Sequence, residues 1–246
     1  MKKSIYFIVL MTCAFSLFAQ NMDYSGANYK NVVKFLPINL VFHSISFEYE
    51  RMINGRNSAI IGIGIPYQNP MGDNVGTAAQ ADFKSRDFGT MHIRAAYRHY
   101  TGKTQQAKGF YLEPYLKYQR IKGTAEISGV DDQTSQSYSG SLDAKLYSYN
   151  FGFQLGAQFL IAKKITVDLY FLGLEAGFLS GNANAITPNS QSASIIRTKV
   201  QEAVDDLPSG MSNHFTISQT GNVVNAKASN ALYPWYRGGV SIGIAF

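Results

Sequence analysis

Charged side chains recur two residues apart inside otherwise apolar runs of this 246-residue chain. Glu48 and Glu50 alternate with Ile45, Phe47 and Tyr49; His92, Arg94 and Arg98 alternate with Met91, Ile93, Ala95 and Tyr97; Glu113 and Lys117 alternate with Leu112, Leu116 and Tyr118. Asp168 and Arg237 take the same kind of position in later runs, as do Asn150, Gln154 and Gln158. Successive side chains of a β-strand point to opposite faces, so these groups collect on one face. Acids and bases nearly balance there, and the chemistry such a set performs is mutual ion pairing. A second chemistry is nucleophilic attack on acyl groups, for which His43 with Ser44 or Ser46, and His214 with Ser212 or Ser218, are the candidates. Neither set has a recognisable motif or a placed acidic partner, and this catalysis needs three aligned groups; no catalytic residue is assigned. The four histidines lie far apart in no metal-ligand spacing. Gly62 and Gly64 lie within a strand pattern and open no helix, so they form no phosphate loop. No metal or cofactor is expected.

The elements that must position these groups are read from a period of two. Eight strands are predicted, beginning with 31–42, 44–52, 58–65, 87–100, 110–122 and 145–161, a seventh starting at Ile165, and an eighth at YRGGVSIGIAF. Lys34 and Pro37 blemish the first, and Pro37 predicts a bulge or break because proline cannot donate to a ladder. The seventh loses its phase after Gly173, where a bulge is expected. Asn54-Gly55 marks a tight turn. In the last strand Tyr236, Val240, Ile242, Ile244 and Phe246 share one face, and Arg237 shares the other with Gly239, Ser241, Gly243 and Ala245. The connections alternate between short turns and long segments at 67–86, 123–143 and 180–232. Short turns at one end and long loops at the other are the asymmetry of an outer-membrane barrel. The stretch 194–207 carries Ile196, Val200, Ala203, Val204 and Leu207 at helical spacing, with Ser194 as its cap and Pro208 and Gly210 at its end. A lid on the barrel rim is the preferred reading of this helix, against a surface for a partner or lipid headgroups.

Composition and the N-terminus agree. MKKSIYFIVLMTCAFSLFAQN has a basic start at Lys2 and Lys3 and an apolar run over 5–18, and predicts a secretory signal over 1–19. The rest, 20–246, reads as one domain. Losing Lys2 and Lys3 lowers the net charge from +6 to +4, and the remaining bases are scattered, so no nucleic-acid partner is predicted. Cys13, the single cysteine, leaves with the signal, so no disulfide holds the exported chain. No other window is apolar for long enough to form a membrane helix, yet Tyr and Phe number sixteen each. The fold class is therefore all-β, an eight-stranded antiparallel transmembrane barrel with long extracellular loops; a secreted β-sandwich is the competing architecture. An eight-stranded barrel has room inside for side chains and not for an open channel, which makes a closed, polar-plugged interior the expectation. Glu48, Glu50, His92, Arg94, Arg98, Glu113, Lys117, Asp168 and Arg237 are its expected luminal network. The expected role is structural or surface-interacting, with an extracellular ligand or protein met through the three long segments and outer-membrane lipids around the wall. A small-solute channel and a lipid-modifying enzyme are the alternatives.

The ending FAQ of the signal, the segment KFLPINLVFHSISFEYERMINGRNSAIIGIGI and the terminal GGVSIGIAF resemble small outer-membrane β-barrel proteins of the Bacteroidetes type, many of them known only as domains of unknown function. Asn39, Tyr49-Glu50-Arg51 and Asn54-Gly55 carry the resemblance. More loosely, the chain is similar to OmpX- and OmpA-type eight-stranded barrels. The resemblance implies an outer membrane of a Gram-negative bacterium and insertion by the barrel-assembly machinery. The terminal-strand face of Tyr236, Val240, Ile242, Ile244 and Phe246 is the expected assembly signal, ending on Phe246. It implies no catalytic residues.

Overall fold

The protein is described by a computed structural model over residues 29–67, 82–102, 107–131, 134–161, 164–207 and 210–246. The predicted export signal and most of the segment 67–86 lie outside these residues. Among the described residues the fold is all-β, with nine strands: β1 (Asn31–Phe35), β2 (Ser44–Asn54), β3 (Asn57–Pro66), β4 (Asp82–Tyr100), β5 (Gly109–Val130), β6 (Ser137–Ile161), β7 (Ile165–Ile186), β8 (Phe215–Thr220) and β9 (Val223–Ala245). Every neighbouring pair is antiparallel. β1 to β7 and β9 form a ring of eight, closed where β9 meets β1 with Val32 opposite Ala245 and Phe35 opposite Ile242. The predicted closing strand is thus the ninth in chain order. The extra strand, β8, lies on β9 beyond the ring.

The predicted alternation is observed. Ile61, Ile63, Ile93, Leu116, Phe151, Phe153, Ile242 and Ile244 are exposed, whereas Glu48, Glu50, Arg94, Arg98, Glu113 and Asp168 are buried. The wall is apolar outside and charged inside, the inverse of a water-soluble core. Tyr236 and Phe246 are also exposed, and Val240 is half-buried.

Four expectations need correction. The first strand stops at Phe35 instead of running to residue 42; Pro37 opens a 3-10 turn, Pro37–Phe42, which ends at His43 with φ 52°. The segment 123–143 is not a loop, because β5 and β6 run into it from both sides and only 131–136 separates them. The segment 180–232 is not a structureless connection either. It contains the end of β7, helix α1 (Ser190–Asp205), β8 and the start of β9. The N-cap lies five residues before the predicted Ser194: it is Asn189, its Oδ1 accepting from the Ser192 amide at 2.8 Å.

Strand length explains the shape. β4, β5, β6, β7 and β9 run for 19 to 25 residues, while β1, β2 and β3 run for 5 to 11. The long strands therefore continue well beyond the stretch that β1, β2 and β3 close into the ring. Beyond the ring they make an open sheet in the order β4-β5-β6-β7-β9-β8. Helix α1 packs on this sheet: Ala193 and Ile196 meet Ala185 and Val224, with Ile127, Tyr138, Leu142, Val200 and Ile217 around them. Ile127, Tyr138 and Leu142 share strand parity with the buried Glu113 and Gln154, so α1 lies on the luminal side of the sheet. At the other end Val32, Met52, Tyr100, Ala107, Tyr111 and Ala245 form an apolar plug.

Truncating Ile196→Ala should remove about 2–4 kcal/mol of local packing. Because α1 touches only the extension, amide exchange should speed up over Ser190–Asp205 and leave the ring strands protected. Equal loss of protection throughout would show that helix and ring form one cooperative unit.

Candidate functional site

The interior is built by the second residue of each strand repeat. Lys34 on β1 reaches Glu50 of β2 at 2.6 Å and Asp168 of β7 at 3.0 Å. Arg98 on β4 bridges Glu113 of β5 at 2.5 Å and Asp168 at 2.9 Å, with Glu50 at 3.6 Å. Arg94 joins Glu48, at 2.6 Å, to Glu113. Arg237 on β9 reaches Glu48 at 3.1 Å, and Lys117 reaches Glu175 at 2.6 Å. Five cations (Lys34, Arg94, Arg98, Lys117, Arg237) therefore face five carboxylates (Glu48, Glu50, Glu113, Asp168, Glu175).

Neutral groups complete the set. Ser58 Oγ and Tyr100 OH donate to Glu50 at 2.6 and 2.7 Å, Tyr111 OH donates to Asp168 at 2.7 Å, and Tyr115 OH donates to Glu175 at 2.9 Å. Gln158 Oε1 accepts from both Lys34 and Arg98, at 2.5 and 2.7 Å. The Arg98 guanidinium also lies 3.6 Å from the Tyr111 ring centroid. Lys34, Arg98, Glu50, Glu113, Gln154 and Gln158 are buried to below 2% exposure, so this layer fills the ring from wall to wall. Toward the α1 end the packing relaxes: the Lys117 and Arg237 side chains are 14% and 16% exposed.

Eight of the nine predicted luminal residues enter these ion pairs. The ninth, His92, faces inward beside them, its ring resting over Gly64, where a Cβ would collide with it. It takes part in none of the ion pairs described. Two essential members were not predicted. Lys34 looked like a blemish in strand one, yet it joins Glu50 to Asp168 at 2.6 and 3.0 Å. Glu175 was lost because the β7–β9 register shifts between Tyr170 and Gly173, which moves the inward face from even to odd residues. Parity counted afresh from Gly173 would have placed it.

The serine–histidine neighbourhoods do not assemble. His43 Nδ1 is 2.8 Å from the Phe88 carbonyl, while Ser44 and Ser46 point inward, 3.2 Å from each other. His214 Nδ1 is 2.9 Å from the Ser229 carbonyl. Among the described residues no group of three His, Cys, Asp or Glu is placed to hold a metal. What the arrangement does chemically is neutralise charge in a space closed to solvent. No known protein family, curated protein or solved structure matches the chain.

Removing one partner of a buried ion network leaves an uncompensated charge, at about 3–5 kcal/mol. Lys34→Met should lower stability by that amount, read as the urea midpoint of the folded protein. Arg237→Gln should have a smaller effect, because Arg237 is nearer solvent and Glu48 keeps Arg94. Equal midpoints for wild type and Lys34→Met would refute the network's structural role.

Proposed function

We propose that the chain is a β-barrel of the outer membrane of a Gram-negative bacterium, with a closed, polar-plugged interior and a structural or surface-interacting role. The observation that carries this reading is the inversion of the wall: a closed eight-stranded ring with paired charges inside and exposed Ile, Leu and Phe outside. An exposed apolar belt of this extent exceeds the few hundred Å² that a soluble monomer tolerates, and lipid is the medium that satisfies it. Tyr118, Tyr149 and Tyr147 stand where the belt gives way to Arg120, Lys122 and Lys145, the order expected at a membrane interface. The export-signal pattern and the resemblance to small outer-membrane barrels point the same way.

The closed interior follows from its filling. An ion would have to displace Lys34, Arg98, Glu50 and Glu113 from one another, and the apolar plug covers the mouth at the far end from α1. Function then belongs to the extension, where α1, β8 and the long strands present most of the surface outside the belt. The outer-membrane lipids surround the belt, and an extracellular ligand or protein is met through this extension.

Cell fractionation should recover the protein with outer membranes, and it should migrate faster in gels before boiling than after. In planar bilayers the purified protein should give no sustained conductance. Recovery as a soluble periplasmic protein would overturn the barrel reading, and steady open currents would overturn the plugged interior.

A further inference from the structure

On the outside of the wall, β3 ends at Pro66 while β4, β5 and β6 continue. The step leaves a groove of about 410 Å³, lined by Gly89, Met91, Arg120, Lys122, Asp143 and Lys145 among others. Gly89 keeps it open at the base, since a Cβ there would lie 2.7 Å from the Pro66 side chain. The three bases are exposed and share parity with the lipid-side residues of their strands. Along β5 the outward residues run Leu112, Leu116, Tyr118, Arg120, Lys122; along β6 they run Phe153, Phe151, Tyr149, Tyr147, Lys145. The rings of Tyr118 and Tyr149 lie 5.2 Å apart just below the bases.

This cluster is not neutralised as the interior is. Lys122 is directly opposite Lys145, and Arg120 is one outward position along from Lys122. Like charges directly across a ladder repel. The carboxylate at hand is Asp143, 3.3 Å from Lys145, in a pair with side chains 46% and 58% exposed, which solvent weakens. Arg120 and Lys122 have no ion-pair partner among the described residues, and Asp87 holds the ladder position opposite Thr124. The patch is also one-sided, for β7 and β9 present Phe178, Leu232 and Tyr236 outward.

We propose that this groove binds the phosphate of a phosphorylated lipid of the outer leaflet, with Arg120, Lys122 and Lys145 around the phosphate and the acyl chains along the face bearing Met91, Tyr118 and Tyr149. An anion between Lys122 and Lys145 converts their repulsion into two attractions. The tyrosine belt sets the depth, so a lipid phosphate meets the bases while its chains stay in the apolar zone. The inference rests on the membrane reading above.

The test is native mass spectrometry of the full chain in detergent micelles doped with bisphosphorylated lipid A or with the same acylated disaccharide lacking phosphate. The wild type should retain the phosphorylated lipid at least about tenfold more tightly, and R120Q/K122Q should lose that margin. Lys227→Gln, which removes an exposed base on β9 paired with Thr216, should leave it unchanged. Heat-modifiable migration checks that each variant is folded. Millimolar inorganic phosphate should not displace the lipid. Equal retention of both lipids, or no difference between wild type and R120Q/K122Q, would overturn the site while the barrel stands. Displacement by inorganic phosphate would reassign it to a free anion. A chain that stays soluble without detergent would overturn this proposal and the barrel together.

Discussion

An ionised group inside an eight-stranded ring has no bulk water to solvate it, and that constraint governs the rest of the structure. Taking a carboxylate or guanidinium out of water costs several kcal/mol, which is recovered only when partners are close and remaining donors are satisfied. Here the recovery is collective. Glu50 receives Lys34, Ser58 and Tyr100, and Arg98 spans Glu113, Asp168 and Gln158. Five charges of each sign make the interior neutral. The members come from β1, β2, β4, β5, β7 and β9, so the network can form only once the ring is closed. Specification of closure, more than gain of stability, is what such a set provides.

The same constraint dictates the small residues. Long polar side chains cross the lumen only if the facing position is empty. Gly152 lies under the Tyr115 ring and Gly156 under the Tyr111 hydroxyl, and a Cβ at either place would collide with the phenol. Those phenols hold Glu175 and Asp168. Glycine, which weakens an isolated strand, is therefore required by the charges opposite it. Large and small side chains alternate across the interior as they must in a narrow barrel.

Beyond the ring the physics changes. The β7–β9 ladder shifts again between Leu179 and Gly181, where Gly181 has φ +139° and Asn230 has φ 52°. The Asn230 amide donates to Ser180 Oγ at 2.9 Å, which stitches the irregularity. Past it the inner face is lined by Ala185 and Val224 instead of charge, and α1 fills the concavity with Ala193 and Ile196. A charge-filled ring thus passes into an ordinary apolar core, and the luminal side of one sheet serves both.

The ring strands and their facing were legible in the chain because alternation is local: residue 113 and residue 115 share a face whatever pairs beside them. Glu48, Glu50, Arg94, Arg98, Glu113, Asp168 and Arg237 were placed in the lumen on that basis. The extension was not legible. Runs such as GNANAI and VVNAKASNAL alternate small with polar residues, so their contrast is too weak to mark strands, and their partners lie about forty residues away (Asn184 opposite Asn225, Ala185 opposite Val224). Nor did an unbroken alternation carried from Asp168 locate Glu175, because the register shift between Tyr170 and Gly173 resets the parity. The sequence alone determined a wall with an apolar side and a charged side, since the period of two is built into the strand backbone. Only the tertiary structure decided that Lys34 would sit between Glu50 and Asp168, because those three strands meet there only when the ring has closed.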